Sequence, residues 1–203
     1  MKIICVGRNY AAHAAEMKAE KPTEPVIFLK PDTALLKKGE DFYYPNFTKE
    51  IHYEAEIFFR VGSEGKYLKR KFALFHIDVL GLGIDFTARD LQQKFKTQGL
   101  PWELAKAFNN SAAVSEVMPI EHFQNLKNID FELKINGETR QVGNTKDMIF
   151  DIEELVEFVS EYITLRTGDL IFTGTPAGVG PIAIGDHLEG FIDGKKVMNF
   201  HIK

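Results

Sequence analysis

One cysteine and one tryptophan occur in 203 residues, and such scarcities narrow the field before any motif is read. A lone thiol, Cys5, cannot close an internal disulfide, and its run "IICV" reads as a buried strand, which fits a reducing compartment. That run is also far shorter than the about 20 apolar residues a membrane span needs, and too short for a secretory signal core. These absences predict a cytoplasmic protein that makes no membrane contact. No stretch interleaves Lys or Arg with aromatics, and the formal net charge is −4, so nucleic acid is not expected as a partner. The basic cluster "KYLKRK" at 66–71 reads as a solvated turn. The glycine-rich stretch "FTGTPAGVGPIAIGD" at 172–186 has no Gly-Lys-Ser/Thr after it and is no phosphate loop. "LGLGIDF" lacks the third glycine of a dinucleotide fingerprint. Neither an internal repeat nor a low-complexity linker interrupts the chain, so one domain over 1–203 is expected.

Strand signals dominate what remains: "KIICVG", "PVIFLK", "IHYEAEIFFRVG", "HIDVLGLGIDF", "FELKINGE", "DLIFTGT" and "HLEGFIDGKKVMNFHI". "INGE" and "IDGK" look like hairpin turns. Helical patterns are fewer. "TARDLQQKFK" at 87–96 places Thr87 and Asp90 in capping-box spacing. "DIEELVEFVSEYI" at 151–163 aligns Ile152, Leu155, Val156, Val159 and Ile163 on one face. "YAAHAAEMKAE" at 10–20 has helix formers but few large apolar anchors, and Pro22 follows. The sum is a strand-rich α+β chain rather than a βαβ repeat.

Four constellations carry chemistry. In the strand "IHYEAEIFF", alternation puts His52, Glu54, Glu56 and Phe58 on one face. Neighbouring carboxylates repel unless one is protonated or a cation lies between them. A solvated face and a hard divalent cation are both open readings of this pattern. The cation needs further oxygen ligands, and Asp85 in "LGLGIDFTARD" is the best third, since Gly81 and Gly83 on its face leave space for a ligand. His52 is expected to stay outside an all-oxygen ligand set.

In "GRNYAAHAAEM", His13 and Glu16 are helical i, i+3 neighbours, which suits either a general base oriented by a carboxylate or a surface salt bridge. The turn Thr173-Gly174-Thr175-Pro176 frees backbone N–H groups that can hold a carboxylate, or is only a tight turn. In "GLPWELAKAF", Lys106 beside Trp102 reads as a buried ammonium seeking an anion, or as a snorkelling side chain.

In this order the motifs "GRNYAAHAAE", "FLKP" at 28–31, "HYEAEI", "DFTARDLQ", "GLPWELAKAF", "DMIFDIEELVEFVS" and "GDLIFTGTPAGVG" resemble the fumarylacetoacetate hydrolase family. Over essentially the whole chain they are similar to its short single-domain subgroup of acylpyruvate hydrolases and oxaloacetate decarboxylases. The resemblance implies a mixed β-sandwich roll with a short amino-terminal lid helix, a homodimer, and Mg²⁺ or Mn²⁺ held by Glu54, Glu56 and Asp85. By motif match His13 and Glu16 form the lid dyad, and Lys106, Gln92 and Thr175 contact a 2-oxo acid substrate. Gly174 belongs to the same substrate turn, and Arg89 in "TARD" matches as well. The amino-terminal SH3-like domain of full-length fumarylacetoacetases is absent, which argues against that exact activity.

The implied reaction is metal-dependent cleavage of an acylpyruvate C–C bond to pyruvate and a carboxylic acid, with His13 activating water. Oxaloacetate decarboxylation, or isomerisation of 2-oxo-enoate diacids, is the alternative. A non-catalytic 2-oxo acid binder fits less well, because a binder needs no base over its ligand.

Overall fold

The computed structural model describes residues 1–12 and 21–203. Its strands begin with β1 (Lys2–Gly7), β2 (Val26–Pro31), β3 (Leu35–Leu36), β4 (Ile51–Tyr53) and β5 (Ala55–Val61). Then come β6 (Ile77–Asp85), β7 (Thr87–Ala88), β8 (Ala112–Val114), β9 (Met118–Pro119), β10 (Asp130–Ile135) and β11 (Glu138–Asn144). The last are β12 (Leu170–Phe172), β13 (Gly180–Pro181), β14 (His187–Ile192) and β15 (Lys195–His201). Among the described residues the α-helices α1 (Arg89–Gln98), α2 (Glu103–Lys106) and α3 (Ile152–Tyr162) join them. The expected α+β, strand-rich class is what is observed. No helix among the described residues is long and apolar enough to cross a membrane.

The large mixed sheet runs β2-β1-β12-β5-β6-β8-β3, with β9 added on β6. β1 is parallel to β12, and β3 to β8; the other pairs are antiparallel. β1, paired on both sides, is apolar and buried from Ile3 to Val6 because both its faces are covered. Ile4 joins Ile57, Phe59, Leu80 and Leu82 against Val156 and Val159 of α3 and Phe131 of β10. On the opposite face Ile3 and Cys5 join Phe58, Ala112 and Phe172. Cys5 is buried, as its run predicts.

The second sheet, β11-β10-β14-β15, is antiparallel throughout. Its two hairpins turn at Asn136-Gly137 and Asp193-Gly194, all four residues at positive φ. That is the backbone the "NG" and "DG" signals call for.

α3 forms where the apolar periodicity places it. Asp151 caps it, accepting from the Glu154 N–H at 3.0 Å, a contact worth about 1 kcal/mol. α1 differs from expectation: it starts two residues later, and its N-cap is Ala88. The Asp90 carboxylate accepts instead from Thr48 Oγ1 and the Lys49 N–H, so the capping box does not form. The later start places Arg89 and Gln92 in the first turn.

Candidate active site

"HYEAE" is not one continuous strand. β4 and β5 break at Glu54, although the ladder to β6 carries on, with the Asp85 N–H donating to the Glu54 carbonyl at 2.8 Å. Glu56 lies opposite Gly83, and Phe58 opposite Gly81. One sheet face therefore carries a column that is aromatic at one end and acidic at the other. The two glycines do not make the ligand space the sequence suggested. A Cβ on Gly81 would come within 2.7 Å of the Phe58 ring, and one on Gly83 would strike the Phe172 ring. These rings stack with centroids 5.4 Å apart, and the glycines make room for them.

Where β12 ends at Phe172, side chains continue its pairing with β5. Thr173 Oγ1 donates to the Ile57 carbonyl at 2.7 Å and Thr175 Oγ1 to the Ala55 carbonyl at 2.9 Å. Gln141, buried on β11, accepts from the Ala55 N–H and donates to Thr175 Oγ1, both at 2.9 Å. Ala55, between the two glutamates, is thus held on both its polar groups. Gly174 has φ +95°, and a Cβ there would sit 2.8 Å from Asn9 Cβ. Its N–H donates to Glu56 Oε2 at 2.7 Å. Asn9 in turn bonds the Thr173 carbonyl and both backbone groups of Phe150, tying the "GRN" loop to the "FTGT" turn.

Oxygens of Glu54, Glu56 and Asp85 lie within 4.8 Å of one another, and all three residues are buried. Cations surround them. Lys106 Nζ donates to Glu54 Oε2 and Asp85 Oδ2, each at 2.7 Å. Arg89 Nη2 donates to Glu54 Oε1 and Nη1 to Gln92 Oε1, each at 2.7 Å. Lys30 Nζ, wholly inside the protein, lies 2.7 Å from Asp85 Oδ1 as an ion pair. It also donates to Ser111 Oγ and to the Lys106 and Ser111 carbonyls.

Burial, then repulsion by Asp85 and Glu54, pushes the Glu56 carboxyl well above its usual range, against the pull of Lys106 and the Gly174 N–H. Burial alone would lower Lys106, but Asp85 and Glu54 outweigh it and hold the ammonium above the ordinary lysine value. The buried-ammonium reading of "ELAKAF" is the one that forms.

Three mutually repelling carboxylates, all oxygen donors and clustered within an ion's reach, suit a hard divalent cation with oxygen distances of about 2.1 to 2.5 Å. A cation among them removes the repulsion that raises Glu56. His52 Nε2 lies 2.8 Å from Glu50 Oε1. His13 and Glu16, and with them the lid helix, lie outside the described residues. Two buried participants escaped sequence reasoning, Lys30 and Gln141. For Lys30 the signal was present: a lone cation in "VIFLKP" on the strand face it shares with Phe28. Gln141 in "ETRQVGN" carries no such signal.

Fold and site together define a strand-rich protein with a buried, cation-walled carboxylate triad on one sheet face. The family model for the fumarylacetoacetate (FAA) hydrolase C-terminal region matches residues 2–203, and the chain belongs to that family. A mouse protein named oxaloacetate tautomerase FAHD1, mitochondrial, is 44% identical over 201 residues, which cover 99% of this chain and 91% of the relative. The Escherichia coli oxaloacetate tautomerase YcgM is 41% identical over 194 residues, 95% of this chain and 89% of that one. Among solved structures, fumarylpyruvate hydrolase from Pseudomonas aeruginosa in complex with Mn²⁺ and pyruvate superposes with a TM-score of 0.94 at 35% identity. That match covers 100% of this chain and 89% of the other.

Proposed function

We propose that the protein is a divalent-metal-dependent enzyme that works on the enol form of short 2-oxo acids, with oxaloacetate keto–enol tautomerisation as its main reaction. The observation that carries this reading is the triad Glu54–Glu56–Asp85 with Lys106 set between two of its members. The tautomerase relatives, each matched over about nine-tenths of its length, favour this reaction over the others of the family.

Glu54, Glu56 and Asp85 would hold Mg²⁺ or Mn²⁺, which when bound supplies a Lewis acid for the 2-oxo group. The rest falls to side chains. Tautomerisation takes the proton from the enol O–H and places one on C3, while the C2=C3 double bond becomes single and the C2–O bond becomes the carbonyl; no carbon–carbon bond breaks. Lys106, kept an ammonium by its carboxylate neighbours, stabilises the negative charge that develops on the oxygen between those two steps. Arg89 and Gln92, joined to each other and to Glu54, orient the substrate carboxylate. Thr175 and Gly174 keep Ala55 and Glu56 in place and face the same substrate. The His13–Glu16 pair exchanges the proton at C3.

A second reading, hydrolysis of acylpyruvates, draws on the fumarylpyruvate hydrolase neighbour and its pyruvate. It needs the same enolate-stabilising wall, with water activated by His13. Decarboxylation of oxaloacetate would pass through the same anion. The test is to follow the ultraviolet absorbance of enol-oxaloacetate and, separately, of acetylpyruvate, with Mg²⁺ and with EDTA. Metal-dependent acceleration of oxaloacetate ketonisation without CO₂ release supports the tautomerase. Pyruvate release from acetylpyruvate supports the hydrolase, CO₂ release the decarboxylase. No metal-dependent effect on either substrate overturns the proposal.

A further inference from the structure

Two cations on the wall of this site are left over once the triad's partners are assigned. Lys96 lies on the face of α1 that carries Arg89 and Gln92, one turn or roughly 6 Å beyond Gln92. Helical side chains lean toward the helix amino terminus, which tilts Lys96 back to the site. Its Nζ rests 5.3 Å from the Trp102 ring centroid. The Trp102 ring meets Phe28 edge-on, and Phe28 lies under Lys106 Nζ at 5.1 Å. Lys96 and Lys106 therefore stand on one continuous aromatic floor.

Arg8, the residue after β1, has φ +60°, a left-handed backbone that non-glycine residues seldom adopt and that concentrates at functional sites. Its neighbours Val6 and Asn9 are the residues a Cβ on Gly174 would strike, so Arg8 sits beside the turn that holds Glu56. Among the described residues neither Arg8 nor Lys96 makes an ion pair, and both are only half-buried.

We propose that Arg8 and Lys96 form a subsite for the second carboxylate of a 2-oxo dicarboxylic acid, and so make the enzyme prefer a dianion to a monoanion. This rests on the reading of the site as one for 2-oxo acids. The charge balance agrees. Glu54, Glu56 and Asp85 face Lys30, Lys106 and Arg89, three charges against three. Arg8, Lys96 and a divalent ion add four positive charges to that balanced set, a surplus that a dianion offsets further than a monoanion does. Burial, followed by repulsion from Arg89, holds the Lys96 pKa below the ordinary lysine value, with Arg8 and Lys106 adding and Glu54 opposing. An arriving carboxylate relieves that repulsion.

Malate and lactate differ only in the distal carboxylate and do not depend on turnover, so they are the probes. Mn²⁺-loaded wild type, R8Q, K96Q, R8K and K96R are titrated with each by calorimetry. Wild type is expected to bind malate at least about tenfold tighter than lactate, the yield of one charged hydrogen bond. R8Q and K96Q each lose most of that preference with lactate affinity unchanged, and R8K and K96R retain it. Equal weakening of both ligands, or malate binding unchanged in R8Q and K96Q, overturns the subsite. If wild type prefers malate, and the preference disappears in the glutamine variants, while oxaloacetate ketonisation is not accelerated, the proposed reaction falls and the subsite stands.

Discussion

Replacing Lys30 by methionine tests whether the triad is held together by internal cations. Lys30 Nζ has no solvent contact and lies 2.7 Å from Asp85 Oδ1, with Ser111 Oγ at 3.0 Å and the Ser111 carbonyl at 2.8 Å. Methionine fills much the same volume but donates nothing, leaving Asp85 short of a counter-charge beside two glutamates. Removing one member of a buried pair costs about 3–5 kcal/mol. For a chain of this length that corresponds to a melting temperature lower by roughly 6–20 °C. The loss should be largest in EDTA. A divalent ion at about 100 times its dissociation constant adds about 2.7 kcal/mol of stability to whichever form binds it. It also replaces the missing positive charge, so the metal-induced rise should be larger in K30M than in wild type. Differential scanning calorimetry with EDTA and with Mn²⁺ reads both effects. A K30M protein that melts within about 2 °C of wild type in EDTA, less than 1 kcal/mol on this scale, would refute the idea that Lys30 balances the triad.

Three further outcomes are expected. Gly83→Ala should cost about 1–3 kcal/mol because the new methyl meets the Phe172 ring; pairing it with Phe172→Leu should recover most of the loss in urea unfolding, and no recovery would mean the clash is elsewhere. Gly174→Ala should weaken Mn²⁺ binding about tenfold in a paramagnetic-resonance titration, roughly the value of one backbone hydrogen bond to a charged group, because the φ of +95° and the Asn9 contact both oppose a side chain; unchanged affinity would show that the Gly174 N–H on Glu56 is dispensable. Burial works to raise Asp169, but its bonds from Lys2 and from the Arg166 and Lys2 N–H groups outweigh that and hold it below the usual 3.8. A depressed carboxyl stabilises the fold above its unfolded pKa and loses that contribution as pH falls through the folded value, so wild type should lose stability below about pH 4. Asp169→Asn should be less stable at neutral pH and show a flatter acid limb in thermal melts; parallel curves would remove Asp169 from the account.

What the sequence disclosed and what it withheld follow from the range of the interactions concerned. α3 and the two hairpins are local: Asp151 caps its own helix, and Asn136-Gly137 and Asp193-Gly194 set their own backbone angles, so neighbouring residues suffice to place them. Glu54, Glu56 and Asp85 could be brought together because a strand's two-residue period fixes which side chains share a face, and a carboxylate pair in a strand asks for a third partner. The same reasoning failed at Gly81 and Gly83. Their missing side chains were read as space for a ligand, whereas Phe58, itself in the column, and Phe172, from a strand 89 residues beyond Gly83, fill it. Lys30 and Gln141 were missed for a related reason. Each meets its partners across the sheet, Lys30 at Asp85 and Ser111, Gln141 at Ala55 and Thr175, and such contacts have no spacing to read. Even so, Lys30 breaks a rule that needs no structure: an unpaired lysine is not stable on the buried face of an apolar strand. A cation at such a position implies a buried anion, and in this chain the acids already singled out were the ones that required it.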